Sequence, residues 1–99
     1  MLPESTGIRD VVLKQICDLA AQYGLCKVIL FGSRARGDFK ERSDIDLAVS
    51  GGDISGFALA VDEETDTLLQ YDVVNLDSRV DEALLENIEK DGKVLYEKV

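Results

Sequence analysis

Histidine is absent from this chain, and it has only two cysteines and one proline. Cys17 and Cys26 stand nine residues apart, which matches no zinc-binding spacing, and no histidine is available to complete a set. Both cysteines are expected to be small core residues. Pro3 falls outside every element expected below. No apolar run is long enough to cross a membrane, and the start carries no apolar signal-like stretch. The chain is therefore expected to be cytoplasmic and reduced. Basic residues are scarce too, 11 against 20 acidic ones, for a net charge of −9. Such a balance disfavours non-specific binding to nucleic acid or to an anionic membrane. It favours cations, basic protein surfaces, or small molecules held at a local basic spot. Arg34, Arg36, Lys40 and Arg42 make such a spot within nine positions.

With 99 residues, 45% of them hydrophobic, the chain suits one folded domain, taken as residues 1–99. Apolar positions Val12, Ile16, Leu19 and Ala20, beside Val11 and Tyr23, recur at helical spacing over about Ile8 to Tyr23. Ser5 or Thr6 is placed to cap that helix, and Gly24 to stop it. Cys26 to Phe31 reads as a strand, Arg34 to Gly37 as one helical turn, and Asp38 to Ser43 as polar loop. Asp44 to Ser50 reads as a second strand. A helix over about Ile54 to Leu69 places Phe57, Val61, Thr65, Leu68 and Leu69 on one side. Its acids Asp62, Glu63, Glu64 and Asp66 form a solvated face. Tyr71 to Leu76 reads as a third strand. A last helix over about Val80 to Lys90 is capped by Asp77 or Ser78. Lys93 to Glu97 is a short final strand or an extended tail. The order α-β-turn-β-α-β-α-β predicts an α/β (α+β) domain with a small mixed sheet and flanking helices.

The chemistry gathers in Phe31 to Val49. Strand side chains alternate, so Asp44 and Asp46 share one face while Ile45 and Leu47 take the other. At a β-carbon separation of about 7 Å and an effective dielectric of about 20, the carboxylates repel by about 2 kcal/mol. Asp is disfavoured inside strands, so two in one short strand point to a ligand, and a divalent cation is the usual one. Gly32 lets the backbone bend and approach a ligand. Ser33 offers a hydroxyl and, at a helix start, free N–H groups for an anion. Arg34 and Arg36 are the candidate phosphate partners, since a guanidinium fork pairs well with phosphate oxygens. Lys40 and Arg42 read as mobile surface charges. Asp72 completes a three-acid cluster if its strand lies beside Asp44 to Ser50, as metal ligand or base.

Gly32-Ser33, ten intervening residues, then Asp44-Ile45-Asp46 resembles the signature of the DNA polymerase beta-like nucleotidyltransferase superfamily. The short chain is similar to its minimal nucleotidyltransferase branch. Asp72 in its apolar strand matches that family's third carboxylate. The resemblance implies a polymerase beta palm-like fold and transfer of a nucleoside monophosphate, AMP from ATP, with two Mg²⁺ ions as cofactor. It implies that Asp44 and Asp46 hold the metals, that Asp72 completes the catalytic site, and that Gly32 and Ser33 grip the nucleotide's phosphates, beside which Arg34 and Arg36 stand as the candidate partners named above. Minimal nucleotidyltransferases pair with small helical HEPN proteins, and in toxin–antitoxin versions the antitoxin adds AMP to a tyrosine of the HEPN toxin. Two other readings stay open: a non-catalytic module that neutralises a helical partner by contact, and a small-molecule transferase of the antibiotic-modifying kind. A template-directed polymerase is disfavoured by the −9 charge.

Overall fold

The computed structural model describes residues 6–98. The elements are α1 (Asp10–Gln22), β1 (Lys27–Phe31), the short turn α2 (Ser33–Arg36), β2 (Ile45–Ser50), α3 (Ile54–Glu64), β3 (Tyr71–Asn75), α4 (Glu82–Asp91) and β4 (Lys93–Glu97). The order and the mixed α/β class agree with the sequence reading. The four strands form one sheet in the order β3-β2-β1-β4. β1 runs antiparallel to both β2 and β4, while β2 and β3 are parallel. A parallel pair needs a crossover, and α3 supplies it.

Alternation along the strands sorts the side chains into two layers. Val28, Leu30, Ile45, Leu47 and Val49 point to one face, where they join Val12, Ile16 and Leu19 of α1 and Phe57, Ala60 and Val61 of α3. The other face holds a smaller cluster of Phe31, Ala48 and Ile88, with Ile29, Val74 and Leu84 around it. α4 therefore covers only part of that second face. The acids at the start of β2 and β3 lie on it.

Several local expectations give way. α1 starts at Asp10, because Gly7 takes a left-handed φ of 70° and ends any helical run before it. Thr6 is not its cap: the position belongs to Arg9, which makes no side-chain cap bond. Instead Thr6 Oγ1 accepts the N–H of Ile8, and both residues are buried. Ser5 lies outside the described residues. α3 stops at Glu64, five residues short of Leu69. The Thr65 hydroxyl donates to the Val61 carbonyl at 2.7 Å and meets the Tyr71 hydroxyl at 2.8 Å, and Thr65 itself is extended. Gln15 then holds Asp66 by two hydrogen bonds, and Leu68 stands fully exposed. The cap of α4 is Asp81 by position, not Asp77 or Ser78. Asp77 accepts the Gly51 N–H at 2.7 Å and ties the end of β2 to the end of β3. Neither cysteine is a core residue: Cys26 is exposed and Cys17 only half-buried, its thiol donating to the Leu95 carbonyl.

Candidate active site

The site is built where β1 ends and where the parallel strands β2 and β3 begin. Gly32 follows β1 with φ 76°. A β-carbon there would collide with the Asp46 carboxylate, so both conformation and space demand glycine. Its carbonyl accepts the N–H groups of Ala35 and Arg36, both at 3.1 Å. The first N–H groups of such a turn have no partner inside it. Those of Ser33 and Arg34 therefore take no partner within the turn. Gly37, with φ 94°, closes the turn, and the Ser33 carbonyl takes the N–H groups of Gly37 and Asp38.

The two arginines of the turn have different fates. Arg34 is 1% exposed. Its guanidinium donates to the carbonyls of Ser43 at 3.0 Å, Thr6 at 2.9 Å and Glu41 at 3.2 Å, and its face stacks 4.8 Å from the Phe39 ring centroid. Expected as a phosphate partner, Arg34 instead pins the loop after the turn to the N-terminal segment. Its fork is spent on carbonyl oxygens, which leaves little for a ligand. Arg36 stays accessible. It donates to Asp38 Oδ2 at 3.2 Å and lies 3.5 Å from Asp91 Oδ2. The Asp38 hydrogen bond, above all, holds its guanidinium more firmly charged. Lys40 and Arg42 are exposed, as expected of surface charges.

Asp46 is in register with Phe31 on β1 and with Asp72 on β3, so the two aspartates occupy one rung of the sheet and one face. Asp44 immediately precedes β2, two positions from Asp46. Asp44 and Asp72 are exposed and Asp46 is half-buried. Burial first, then the neighbouring charges of Asp72 and Asp44, push the Asp46 carboxyl up to about 6, while Arg36 pulls it the other way. Among the described residues no three acidic or thiol side chains are gathered tightly enough to enclose a cation.

Beside Asp44 opens a groove of about 550 Å³, lined by Arg42, Asp44, Leu68, Leu69 and Gln70. Sequence reading misses this wall, because it assigns Leu68 and Leu69 to the buried side of a helix that ends before them. A run such as Thr65-Asp66-Thr67 is the available signal, since Thr and Asp side chains compete with helical hydrogen bonds.

The site thus joins a glycine-led turn to two aspartates on one rung at the head of a mixed sheet. Residues 14–99 match the family described as polymerase beta, nucleotidyltransferase. The chain belongs to this family and is a nucleotidyltransferase. A relative from Methanocaldococcus jannaschii, named as a protein adenylyltransferase, is 38% identical over 79 residues, covering 71% of this chain and 77% of the relative. A toxin–antitoxin structure solved with AMP-PNP is similar at TM-score 0.71 and 26% identity, over 87% of this chain and 73% of that one. A minimal nucleotidyltransferase structure is similar at TM-score 0.64 and 26% identity, over 82% of this chain and 86% of that one.

Proposed function

We propose that this protein transfers AMP from ATP to a tyrosine hydroxyl of a small helical, HEPN-type partner, and so acts as the antitoxin of a toxin–antitoxin pair. The observation that carries the reading is the shared rung of Asp46 and Asp72, with Gly32 pressed against Asp46. The name of the Methanocaldococcus jannaschii relative and the AMP-PNP in the toxin–antitoxin structure support the adenylyl group and the protein acceptor.

The donor chemistry fits magnesium, which takes hard carboxylate oxygens and shares its shell with substrate phosphates. Asp44, Asp46 and Asp72 are the residues that would hold it. The raised Asp46 carboxyl is what burial first, and then uncompensated neighbouring carboxylates, produce. When bound, two such ions neutralise charge on the attacking and leaving oxygens. The chain's own residues do the rest. The Ser33 hydroxyl and N–H receive phosphate oxygens at the turn, and Arg36 adds a nearby positive charge. Asp72, exposed and on the outermost strand, stands open to the incoming hydroxyl, as ligand or as base. Arg34 acts through structure, fixing the loop that leads into Asp44.

The test uses ATP labelled at the α-phosphate, Mg²⁺, and the product of the neighbouring reading frame, which this reading expects to be a small helical HEPN-type protein. The label is expected on a tyrosine of that protein. Asp44→Asn is expected to lower transfer by about 100-fold or more, as loss of a metal-holding carboxylate should. Equal labelling by Asp44→Asn removes the metal role. Complex formation with no labelling in either case favours a contact-only neutraliser.

A further inference from the structure

We propose that the acceptor polypeptide docks as a fifth strand on the free edge of β3, which sets its hydroxyl residue directly opposite Asp72. The proposal rests on the nucleotidyl-transfer reading of the carboxylate site, and names how the acceptor reaches it.

The two sheet edges differ. β4 is guarded: its pairing with β1 is broken by a bulge at Val28/Ile29, and Lys27 pairs with Glu97 at 3.5 Å. The Leu95 carbonyl is taken by the Cys17 thiol, Lys93 begins the strand and Lys98 follows it. Bulges, lysines and covered groups are how sheets keep an edge from pairing. From Tyr71 to Val74, β3 has none of these. Its five-residue register with β2 is unbroken, and it contains no lysine or proline.

Hydrogen bonding fixes which groups face outward. The Gln70 carbonyl and the Leu76 N–H both bond toward β2, to Ile45 and Val49. Residues of the same parity share that direction, so the backbone groups of Tyr71 and Val73 point to the open side. Among the described residues these groups have no partner. The Asn75 carbonyl, by contrast, is taken by Ser78. The open stretch therefore centres on Asp72.

A groove of about 630 Å³ runs along this edge on the face away from the carboxylates. Ala58, Leu59, Tyr71 and Val73 give it an apolar floor, Leu59 is 63% exposed, and Asp62 supplies an acidic rim. No basic side chain lines it. The occupant follows from this chemistry. It is an extended segment with a hydroxyl residue, apolar side chains on either side of that residue, and lysine or arginine beyond them. The apolar pair enters the groove beneath Leu59. The basic ends meet Asp62 and a chain of net charge −9. The hydroxyl residue falls on the other face, on the rung of Asp46 and Asp72. In antiparallel pairing that rung is the close, non-hydrogen-bonded kind, with Cα atoms about 4.5 Å apart. There the hydroxyl oxygen forms a bond to the α-phosphorus of the nucleoside triphosphate, the bond from that phosphorus to the pyrophosphate oxygen breaks, and the hydroxyl proton leaves to solvent.

The probe is the peptide Lys-Gln-Val-Tyr-Val-Gln-Lys, compared with the same peptide N-methylated at both valines. Amide hydrogen exchange is read on the full chain, without ATP. The unmodified peptide should slow exchange at Tyr71 and Val73 by about tenfold, and the methylated one should not, two backbone hydrogen bonds being lost. Leu59→Lys, a change at an exposed position, should weaken that protection. Equal protection by both peptides, none by either, or protection already present in the free chain that rises with its concentration overturns the proposal. With Mg²⁺ and labelled ATP, the unmodified peptide should accept AMP about tenfold faster than the methylated one. Protection without transfer to either peptide leaves the docking edge standing and removes the AMP-transfer reading.

Discussion

The face of the sheet under α1 and α3 is filled by Val28, Leu30, Ile45, Leu47 and Val49, all with no exposed surface. The opposite face gives the alternate β2 positions to Asp46, Ala48 and Ser50, and among the described residues its apolar cover comes from Leu84 and Ile88 of α4. The same strand thus serves two purposes on its two sides. The closed side anchors β2 and β3 in register through apolar burial. That anchoring holds Asp46 and Asp72 on one rung although their charges repel. A site of like charges is affordable only because its back is packed.

Deleting one side chain from each face tests this contrast most strongly. Leu47→Ala opens a cavity in the closed layer and should cost about 2–5 kcal/mol. Leu84 is half-buried at the edge of the smaller cluster, so Leu84→Ala should cost less, about 1–2 kcal/mol. Urea denaturation of both variants gives the comparison. Equal losses would mean that the faces do not differ in how firmly they are packed.

A second contrast lies within one turn, between Arg34 and Arg36. Arg34→Lys keeps the charge but loses the fork that serves three carbonyls, and should destabilise by about 1–3 kcal/mol. Arg36→Lys replaces an exposed side chain and should stay within about 0.5 kcal/mol of the parent in the same denaturation experiment. Its effect should appear instead as weaker ATP binding by isothermal titration. Reversed outcomes would exchange the structural and ligand-facing roles of the two residues.

How far the sequence carries the fold depends on where the deciding partner sits. Alternation across Asp44-Ile45-Asp46-Leu47 is a period-two pattern, so the sidedness of β2 can be read within four residues. Gly32-Ser33 announces a turn by composition alone. The separate fates of Arg34 and Arg36 cannot be read that way. Both occupy the same basic tetrapeptide, and the difference is made by the Thr6 carbonyl 28 positions away and the loop carbonyls of Glu41 and Ser43. The end of α3 is equally non-local: Gln15, 51 positions distant, takes both the N–H and the carboxylate of Asp66. Leu68, apolar and correctly spaced, then lies outside the helix that its spacing predicts. The free edge of β3 is also invisible to local pattern, because strand order is a property of the whole sheet.

The smallest expected effect concerns the charge that the half-open face carries. Asp46 has its carboxyl raised from 3.8 to about 6, first by burial and then by Asp72 and Asp44. The folded state therefore holds a proton there that the unfolded chain releases. A group raised in this way contributes stability below about pH 4 that is lost as pH rises to about 6. Above that, the ionised carboxylate is a constant penalty on the metal-free fold. Because the side chain is only half-buried, solvent screening reduces the penalty to about 1 kcal/mol. Asp46→Asn should flatten the pH 4–6 slope and raise the melting temperature at pH 7 in EDTA, while abolishing transfer. Millimolar Mg²⁺ should raise the melting temperature of the parent, since a ligand that binds only the folded state stabilises it. It should do so less for Asp46→Asn, which offers one carboxylate fewer. A variant that melts like the parent at every pH, with and without Mg²⁺, would show that the closed face bears no load on behalf of the open one.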